Sequence, residues 1–438
     1  MDQTISDILS FVEENDIKFI KLQFCDLFGE LKNISILSSE LERAFTRGIS
    51  FDGSSVRGFV EVDNSDLFLV PDPSTITILP WRPQEGRVAR FFCTVKKPNG
   101  EVFEGDCRNR LRKTVEELQA YDYTVKVGPE SEFYLFKTDD EANPLLEPQD
   151  NAGYFAVAPF DKGENIRREI CLTLEEMGFT PESSHHESGP GQNEIDFRFD
   201  NPVESADNFI TLKSVVRSIA SLNGLYATFV PKPLLDKSGS GFHINLSLYK
   251  GEKNIFKVDS GHSKDAESFI AGILDRIEEI TAILNPSVNS YRRLGNHEAP
   301  TSIGWSHKNR STIIRIPASG GECARMELRS ADCLCNPYLA FMLLIRAGVE
   351  GIEQEKKLGK PITHNAFLYD EGDKHLPLTF EDAMEKLKNS TFARKVLGDF
   401  IIDKYIKIKE EELKIYKSIE DADKGISNWE KENYFYKY

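Results

Sequence analysis

The sequence predicts an α+β fold in two parts. Three observations carry that prediction: a compact, strand-rich opening, long helical segments after it, and polar-faced strands lying between those helices. Residues 3–14 have helical spacing, with Ile5, Ile8, Leu9 and Val12 on one face. Strand-like runs at 17–24 and 31–37 flank the turn Asp26-Leu27-Phe28-Gly29. A short helix over 39–46 stops at Gly48, and further strands fall at 66–70, 76–80 and 87–96. The turn Pro98-Asn99-Gly100 marks a boundary, dividing a small domain (1–100) from a large one (101–438). Helices are expected at 107–121, 163–177, 204–223, 264–284 and 336–355, with a strand at 123–136 and others between them. The last stretch is helical and charged and finishes in WEKENYFYKY, an aromatic run expected to dock on a neighbour.

Bulk properties exclude several functions. With 438 residues, 71 acids and 54 Lys plus Arg, the net charge is -17. That balance argues against nucleic acid or an anionic membrane as the main partner. The seven cysteines are scattered and contain no C-x-x-C pair, which argues against a zinc site or a disulfide framework and for a reduced, cytoplasmic setting. The opening MDQTISDIL has no signal-peptide character, and no apolar run reaches the roughly 18 residues of a membrane span.

The chemistry lies in the strand-like stretches. In GQNEIDFRFD, Glu194, Asp196, Arg198 and Asp200 share one face, opposite Ile195, Phe197 and Phe199. In FHINLSLY, His243, Asn245, Ser247 and Tyr249 oppose Phe242, Ile244, Leu246 and Leu248. In RMELRS, Arg325, Glu327 and Arg329 oppose Met326 and Leu328; Glu130 and Glu132 alternate in ESEFYLF, and Glu187 sits in HHESGPG. Any one of these could be a half-exposed strand with a solvated face. Together they aim five glutamates and a histidine at one cavity, where the carboxylates would repel unless cations sit among them. Oxygen ligands with one imidazole and no thiolate suit Mg²⁺ or Mn²⁺, and so many acids imply two or more ions.

A basic cluster follows: Arg292, Arg293, Arg310, Arg315, Arg325 and Arg329 within 38 residues. Metal-binding acids with guanidinium forks describe phosphoryl transfer, although one or two of these arginines are expected in structural salt bridges. There is no G-x-x-x-x-G-K-[ST] loop and no G-x-G-x-x-G, so a nucleotide must be held by metals and arginines.

In order along the chain, FDGSSVRGF (51–59), SDLFLVPDPST (65–75), GPESEFYLF (128–136), GYFAVAP (153–159), HHESGPGQNEIDF (185–197), GSGFHINLSL (239–248), NPSVNSYRRL (285–294), EAP (298–300), NRSTIIRIP (309–317) and RMELRS (325–330) resemble class I glutamine synthetase. The length is similar to its alpha type. The resemblance implies a β-grasp-like first domain and a catalytic domain whose antiparallel sheet lines a funnel-shaped site. It implies ATP-dependent joining of ammonia to L-glutamate through a γ-glutamyl phosphate, and a dodecamer of two hexameric rings in which a neighbour supplies the FDGSS loop. Carried over, Glu132, Glu187 and Glu194 hold the first metal and Glu130, His243 and Glu327 the second. Arg293, Arg310 and Arg329 bind glutamate or the phosphoryl group. Glu182, Ser247, Arg315 and Arg325 lie on the ATP side. Asp52, Ser55, Tyr154 and Glu187 form the ammonium pocket, with Asp52 as the base and Glu298 closing the site.

Three positions depart from the family pattern. Glu322 stands where a lysine is usual, Asn245 where a second histidine is common, and Glu61 where alpha-type enzymes often carry an arginine tied to feedback inhibition. The last bears on glutamine feedback and on contact with a nitrogen-regulatory protein, a candidate partner. HNAFLYDEGDKHLP (364–377) is shorter than its family counterpart, so Tyr369 is not assigned as a modification site. The competing readings are a ligase for another amine and a non-catalytic relative on the same fold. The FDGSS segment, Tyr154 and Glu187 favour ammonia, and the full ligand set favours an enzyme.

Overall fold

The computed structural model describes residues 5–256, 263–318, 321–419 and 425–437. The small N-terminal sheet is made of β1 (Ile17–Cys25), β2 (Leu31–Leu37), β3 (Ile49–Asp52), β4 (Asp66–Pro71), β5 (Thr77–Ile78) and β6 (Arg87–Lys96). Its order is β2-β1-β6-β4-β3, with β5 on β6. β1 and β6 run parallel, whereas the other pairs are antiparallel. Helices α1 (Ile5–Glu14) and α2 (Leu41–Arg47) accompany this sheet, and α1 buries Ile8 and Val12 from its apolar stripe. α2 stops at Gly48, whose φ of 73° is the left-handed conformation open to glycine.

The larger sheet comprises β7 (Tyr123–Thr138), β8 (Pro144–Pro148), β9 (Pro181–His186), β10 (Gln192–Phe197), β11 (Leu225–Thr228), β12 (Phe242–Lys250), β13 (Lys253–Asn254), β14 (Ser302–His307), β15 (Thr312–Ile316) and β16 (Met326–Leu328). The order is β14-β15-β16-β12-β7-β10-β9, with β8 and β11 also on β7 and β13 on β12. All of its pairs are antiparallel except β14 with β15, which run parallel.

Around it stand α3 (Cys107–Gln119), α4 (Glu164–Glu176), α5 (Pro202–Leu222), α6 (Lys264–Leu284), the one-turn α7 (Ser290–Arg293), α8 (Pro337–Glu353), α9 (Phe380–Lys388), α10 (Thr391–Leu397), α11 (Asp399–Lys417) and α12 (Asn428–Glu430). Side-chain caps fix the starts of α3, α5, α6 and α8: Asp106, Asn201, Ser263 and Asn336 each accept from a backbone N–H of the first turn. One continuous core joins the inner face of the sheet (Val125, Val127, Phe133, Ile244, Leu246) to α5, α6 and α8. α6 and α8 cross so closely that a Cβ on Gly272 would stand 2.2 Å from the carbonyl oxygen of Ala347.

Two expectations change here. Glu187 lies just beyond β9, in the turn to β10, because Gly189-Pro190-Gly191 ends the strand. The aromatic terminus packs on its own chain, with Tyr434 and Phe435 joining Tyr134, Phe136 and Val230 in a separate apolar cluster. Among the described residues, no helix is long and apolar enough to cross a membrane.

Candidate active site

The register of the large sheet decides which side chains meet. β7 carries Glu130 and Glu132 two residues apart, hence on one face. Directly across, Asp196 and His243 flank Glu130 from β10 and β12, and Glu194 stands opposite Glu132. One strand further, Asn245 pairs with Glu327, which pairs with Arg315. Of these, Glu130, Glu132, Glu194, Asp196, His243 and Arg315 line a cavity of about 580 Å³, together with Tyr154, His185, Glu187, Gln192, Arg293, Glu298, Arg310 and Arg329, while Asn245 and Glu327 are buried behind that wall.

Glu130, His243 and Glu327 form one compact group of potential ligands, their donor atoms all within 4.8 Å of one another. Nδ1 of His243 is 3.1 Å from Glu130 Oε2 and 3.7 Å from Glu327 Oε1. Asn245 donates to Glu130 Oε1 at 2.8 Å and accepts from Nε of Arg325, also at 2.8 Å. The departure at Asn245 therefore couples a candidate metal ligand to an arginine. Glu187 and Glu194 form a second group with His185. Glu132 borders that group but is held by Gln192 Nε2 at 3.0 Å and by the Gly241 N–H at 2.9 Å.

Burial and mutual repulsion dominate the electrostatics. Burial, then the charges of Glu132, Asp196 and Glu130, push the Glu194 carboxyl well above its usual range. Burial also raises Glu132 against the pull of His243. For Glu130, burial is outweighed by the hydrogen bonds from His243 and Asn245, which hold its carboxyl down at about 2. The donor set fits hard divalent cations: carboxylates with imidazole, no thiolate, and a buried Glu327 Oε2 without a hydrogen-bond partner.

The arginines divide. Arg293, Arg310, Arg315 and Arg329 line the cavity. Arg292 instead binds the C-terminal segment, 3.2 Å from Glu430 Oε2, so it is the structural member of the cluster. Glu182 is exposed on β9, Ser247 is buried on β12, and neither lines the cavity. Arg325 is outside the lining and is linked to it by Asn245, which donates to Glu130. Lys404 pairs with Glu61, and the side chain of Glu322 lies outside what the structure describes.

Asp52 and Ser55 also lie away from the cavity, at the exposed end of β3. Asp52 accepts from Ser54 Oγ at 2.6 Å and Ser55 Oγ at 2.9 Å, which hold its carboxyl below the ordinary range. Glu298 does line the cavity, and with His297 it has positive φ, 64° and 42°. Non-glycine residues adopt that conformation at a cost of about 1–2 kcal/mol each.

Sequence reasoning passed over His185, Gln192 and Asp196 as site residues. The first two sit inside the quoted HHESGPGQ stretch and the third alternates with Glu194, so the signal was present in the motif itself.

Two family models cover nearly the whole chain: the glutamine synthetase β-grasp domain over residues 16–98 and the glutamine synthetase catalytic domain over residues 104–434. Among curated relatives, a glutamine synthetase of Methanosarcina mazei is 45% identical over 98% of this chain and 97% of its own length. One from Clostridium saccharobutylicum is 44% identical over 99% of both chains. Of solved structures, apo GmaS superposes with a TM-score of 0.87 at 28% identity, over 98% of this chain and 99% of its own. Plasmodium falciparum glutamine synthetase shares the fold, with a TM-score of 0.85 at 23% identity, over 99% of both chains.

Proposed function

The chain belongs to the glutamine synthetase family, and we propose that its cavity carries out both half-reactions of that activity with the residues assigned below. It is a glutamate–ammonia ligase with a β-grasp domain and an α+β catalytic domain, and it uses ATP and divalent metal. One observation carries the residue assignment: five potential ligands and four arginines line a single cavity, and the sixth ligand, the buried Glu327, groups with Glu130 and His243 of its wall.

A carboxylate is a poor acyl donor, so the side chain of glutamate must first be phosphorylated. Glu130, His243 and Glu327 would hold one cation and Glu132, Glu187 and Glu194 another; the preferred metal is Mg²⁺ or Mn²⁺. Bound there, the cations supply charge neutralisation for the transferring phosphoryl group. Arg310 and Arg329 face the phosphoryl oxygens, Arg293 orients glutamate, and Arg315, Arg325, Glu182 and Ser247 serve the ATP side. The electrons of the attacking glutamate oxygen form the new P–O bond as the bond to ADP breaks, leaving γ-glutamyl phosphate.

Ammonium has no lone pair, so it must lose a proton before it attacks the acyl phosphate. Tyr154 and Glu187 border the cavity on the side where ammonium would bind. Asp52 and Ser55 complete that pocket when a second copy brings its 52–55 segment to the open rim. The hydroxyls around Asp52 hold its carboxyl low, which suits it to bind NH₄⁺ as an anion. It takes the ammonium proton, the freed ammonia attacks the acyl carbon, and the C–O bond to phosphate breaks, the departing phosphate carrying off the surplus proton of the new amide. Glu298 closes over the acyl phosphate and excludes water. This arrangement implies a ring assembly, a dodecamer of two hexamers, in the cytoplasm.

Phosphate release from ATP, glutamate and ammonium tests the reading. Exhaustive chelation abolishes it and Mg²⁺ or Mn²⁺ restores it; full turnover in the chelated protein would overturn the assignment.

A further inference from the structure

Glu430 is 1% exposed, far along the chain from the cavity, and has no part in the chemistry above. It nevertheless ties its own segment to the turn at 289–292 and, through Asn289, to Lys232. Its Oε2 accepts from the Ser427 N–H at 2.9 Å and Oγ at 3.0 Å, and Ser427 Oγ accepts in return from the Glu430 N–H, closing the first turn of α12. The same oxygen takes Nη2 of Arg292 at 3.2 Å. Its Oε1 takes Nδ2 of Asn289 at 3.2 Å. Asn289 is fully buried and clamps Lys232, accepting from its N–H at 2.7 Å and donating to its carbonyl at 3.2 Å.

The two segments that Glu430 joins form one wall of the cavity. Asn289 and Arg292 belong to the turn that presents Arg293. The loop following Lys232 presents Gly239, against which Arg293 packs so tightly that a Cβ there would lie 2.8 Å from the Arg293 Cγ. Arg292 fixes the turn further through the Gly425 carbonyl and the Tyr416 hydroxyl, both at 2.9 Å. Phe435 anchors the far side, with its ring centroid 5.3 Å from that of Phe136 on β7 and its carbonyl accepting from the Tyr226 hydroxyl.

We propose that residues 425–435 are a clasp and that Glu430 is a positioning residue for the Arg293 wall, setting affinity for glutamate without touching it. The inference rests on the reading of Arg293 as a glutamate-binding residue. The Arg293 guanidinium is seated by two hydrogen bonds to the carbonyls of Arg329 and Ser330, at 3.2 and 3.1 Å, while its backbone and the root of its side chain belong to the turn. A shift of the turn would therefore pull the guanidinium against those two bonds and change its seating in the wall.

Glu430→Gln keeps the length of the side chain but removes the charge that holds Arg292. In the full-length enzyme, KM for glutamate should rise about tenfold, with KM for ATP and the metal activation constant changing less than about twofold. Arg293→Lys, measured in parallel, separates the two layers of the argument. If Arg293→Lys raises KM for glutamate and Glu430→Gln does not, the clasp is overturned while the site reading stands. If Arg293→Lys leaves that KM unchanged, the wall itself is misread and the clasp falls with it. Equal losses for all three ligands would reduce Glu430 to a general stabiliser and reject the proposal. Should Glu430→Gln fail to fold, Arg292→Lys, which keeps the charge but loses the forked contacts, is judged by the same split.

Discussion

Arg329 donates from Nη1 to Glu327 Oε1 at 2.6 Å, and both side chains are almost completely withdrawn from water. On the other side, Arg315 Nε comes within 2.5 Å of Glu327 Oε2 without hydrogen-bond alignment. One carboxylate thus links two arginines to a candidate metal group. Removing it strands buried charge as well as a ligand.

Glu327→Gln, which preserves shape, is expected to lower kcat by about a hundredfold or more and to weaken binding of one class of divalent ion. Steady-state kinetics with metal titration by calorimetry reads both quantities. An unchanged rate would remove Glu327 from the site.

Asp52→Asn separates the two half-reactions. The variant retains an acceptor oxygen for Ser54, turns a donor amide toward the Ser55 hydroxyl and loses the charge. Amide synthesis should fall by about a hundredfold or more, while phosphorylation of a tight-binding glutamate mimic such as methionine sulfoximine persists. A common loss in both steps would make Asp52 a support of its loop rather than the ammonium base.

Because Asp52 lies off the cavity of its own chain, sites built from two copies make a further prediction. Mixed rings of Asp52→Ala and Glu327→Ala subunits should regain activity, since some junctions join an intact Asp52 to an intact Glu327. Verified mixed rings with no recovery would place Asp52 outside the active site, as would an active monomer in sedimentation.

Asp26 gives stability a pH dependence. Burial raises its carboxyl from 3.8 to about 6, against the pull of the Glu30 N–H. Between those values the folded chain keeps a proton that the unfolded chain has lost, so stability falls as pH rises through that window and then levels off. Asp26→Asn preserves an acceptor for the N–H groups of Phe28 and Glu30 and removes this dependence. Between pH 4 and pH 7 the native protein should lose roughly 2–3 kcal/mol more than the variant, read from denaturant midpoints. Parallel pH profiles would show that Asp26 is ionised throughout.

The parts of this molecule that were legible in the sequence are those written in local periodicity. β12 alternates along FHINLSLY and β7 alternates around Glu130 and Glu132, so the ligands on them could be named without knowing their partners. Partner choice is not local. The parallel pairing of β1 with β6 joins segments far apart in the chain, and neither strand carries a sign of it. Glu187 keeps its place at the cavity although its segment is a turn, because adjacent glycines and proline outweigh the strand pattern there. Arg292 and Arg293 could not be told apart by type. Neighbours on a helical turn point about 100° apart, so one faces the cavity and the other the C-terminal segment.

β7 runs unbroken past both candidate cation positions, and Glu130 and Glu132 are consecutive residues of one of its faces. Their spacing is then a property of extended backbone, about 6.6–6.8 Å for two residues, as fixed as the graduation on a ruler. Loops around the rim can lengthen, and the amine or effector admitted there can change, without altering the interval between the charges that serve phosphoryl transfer. Divergence in a scaffold of this kind is channelled toward who enters the site and away from how the phosphoryl group is handled.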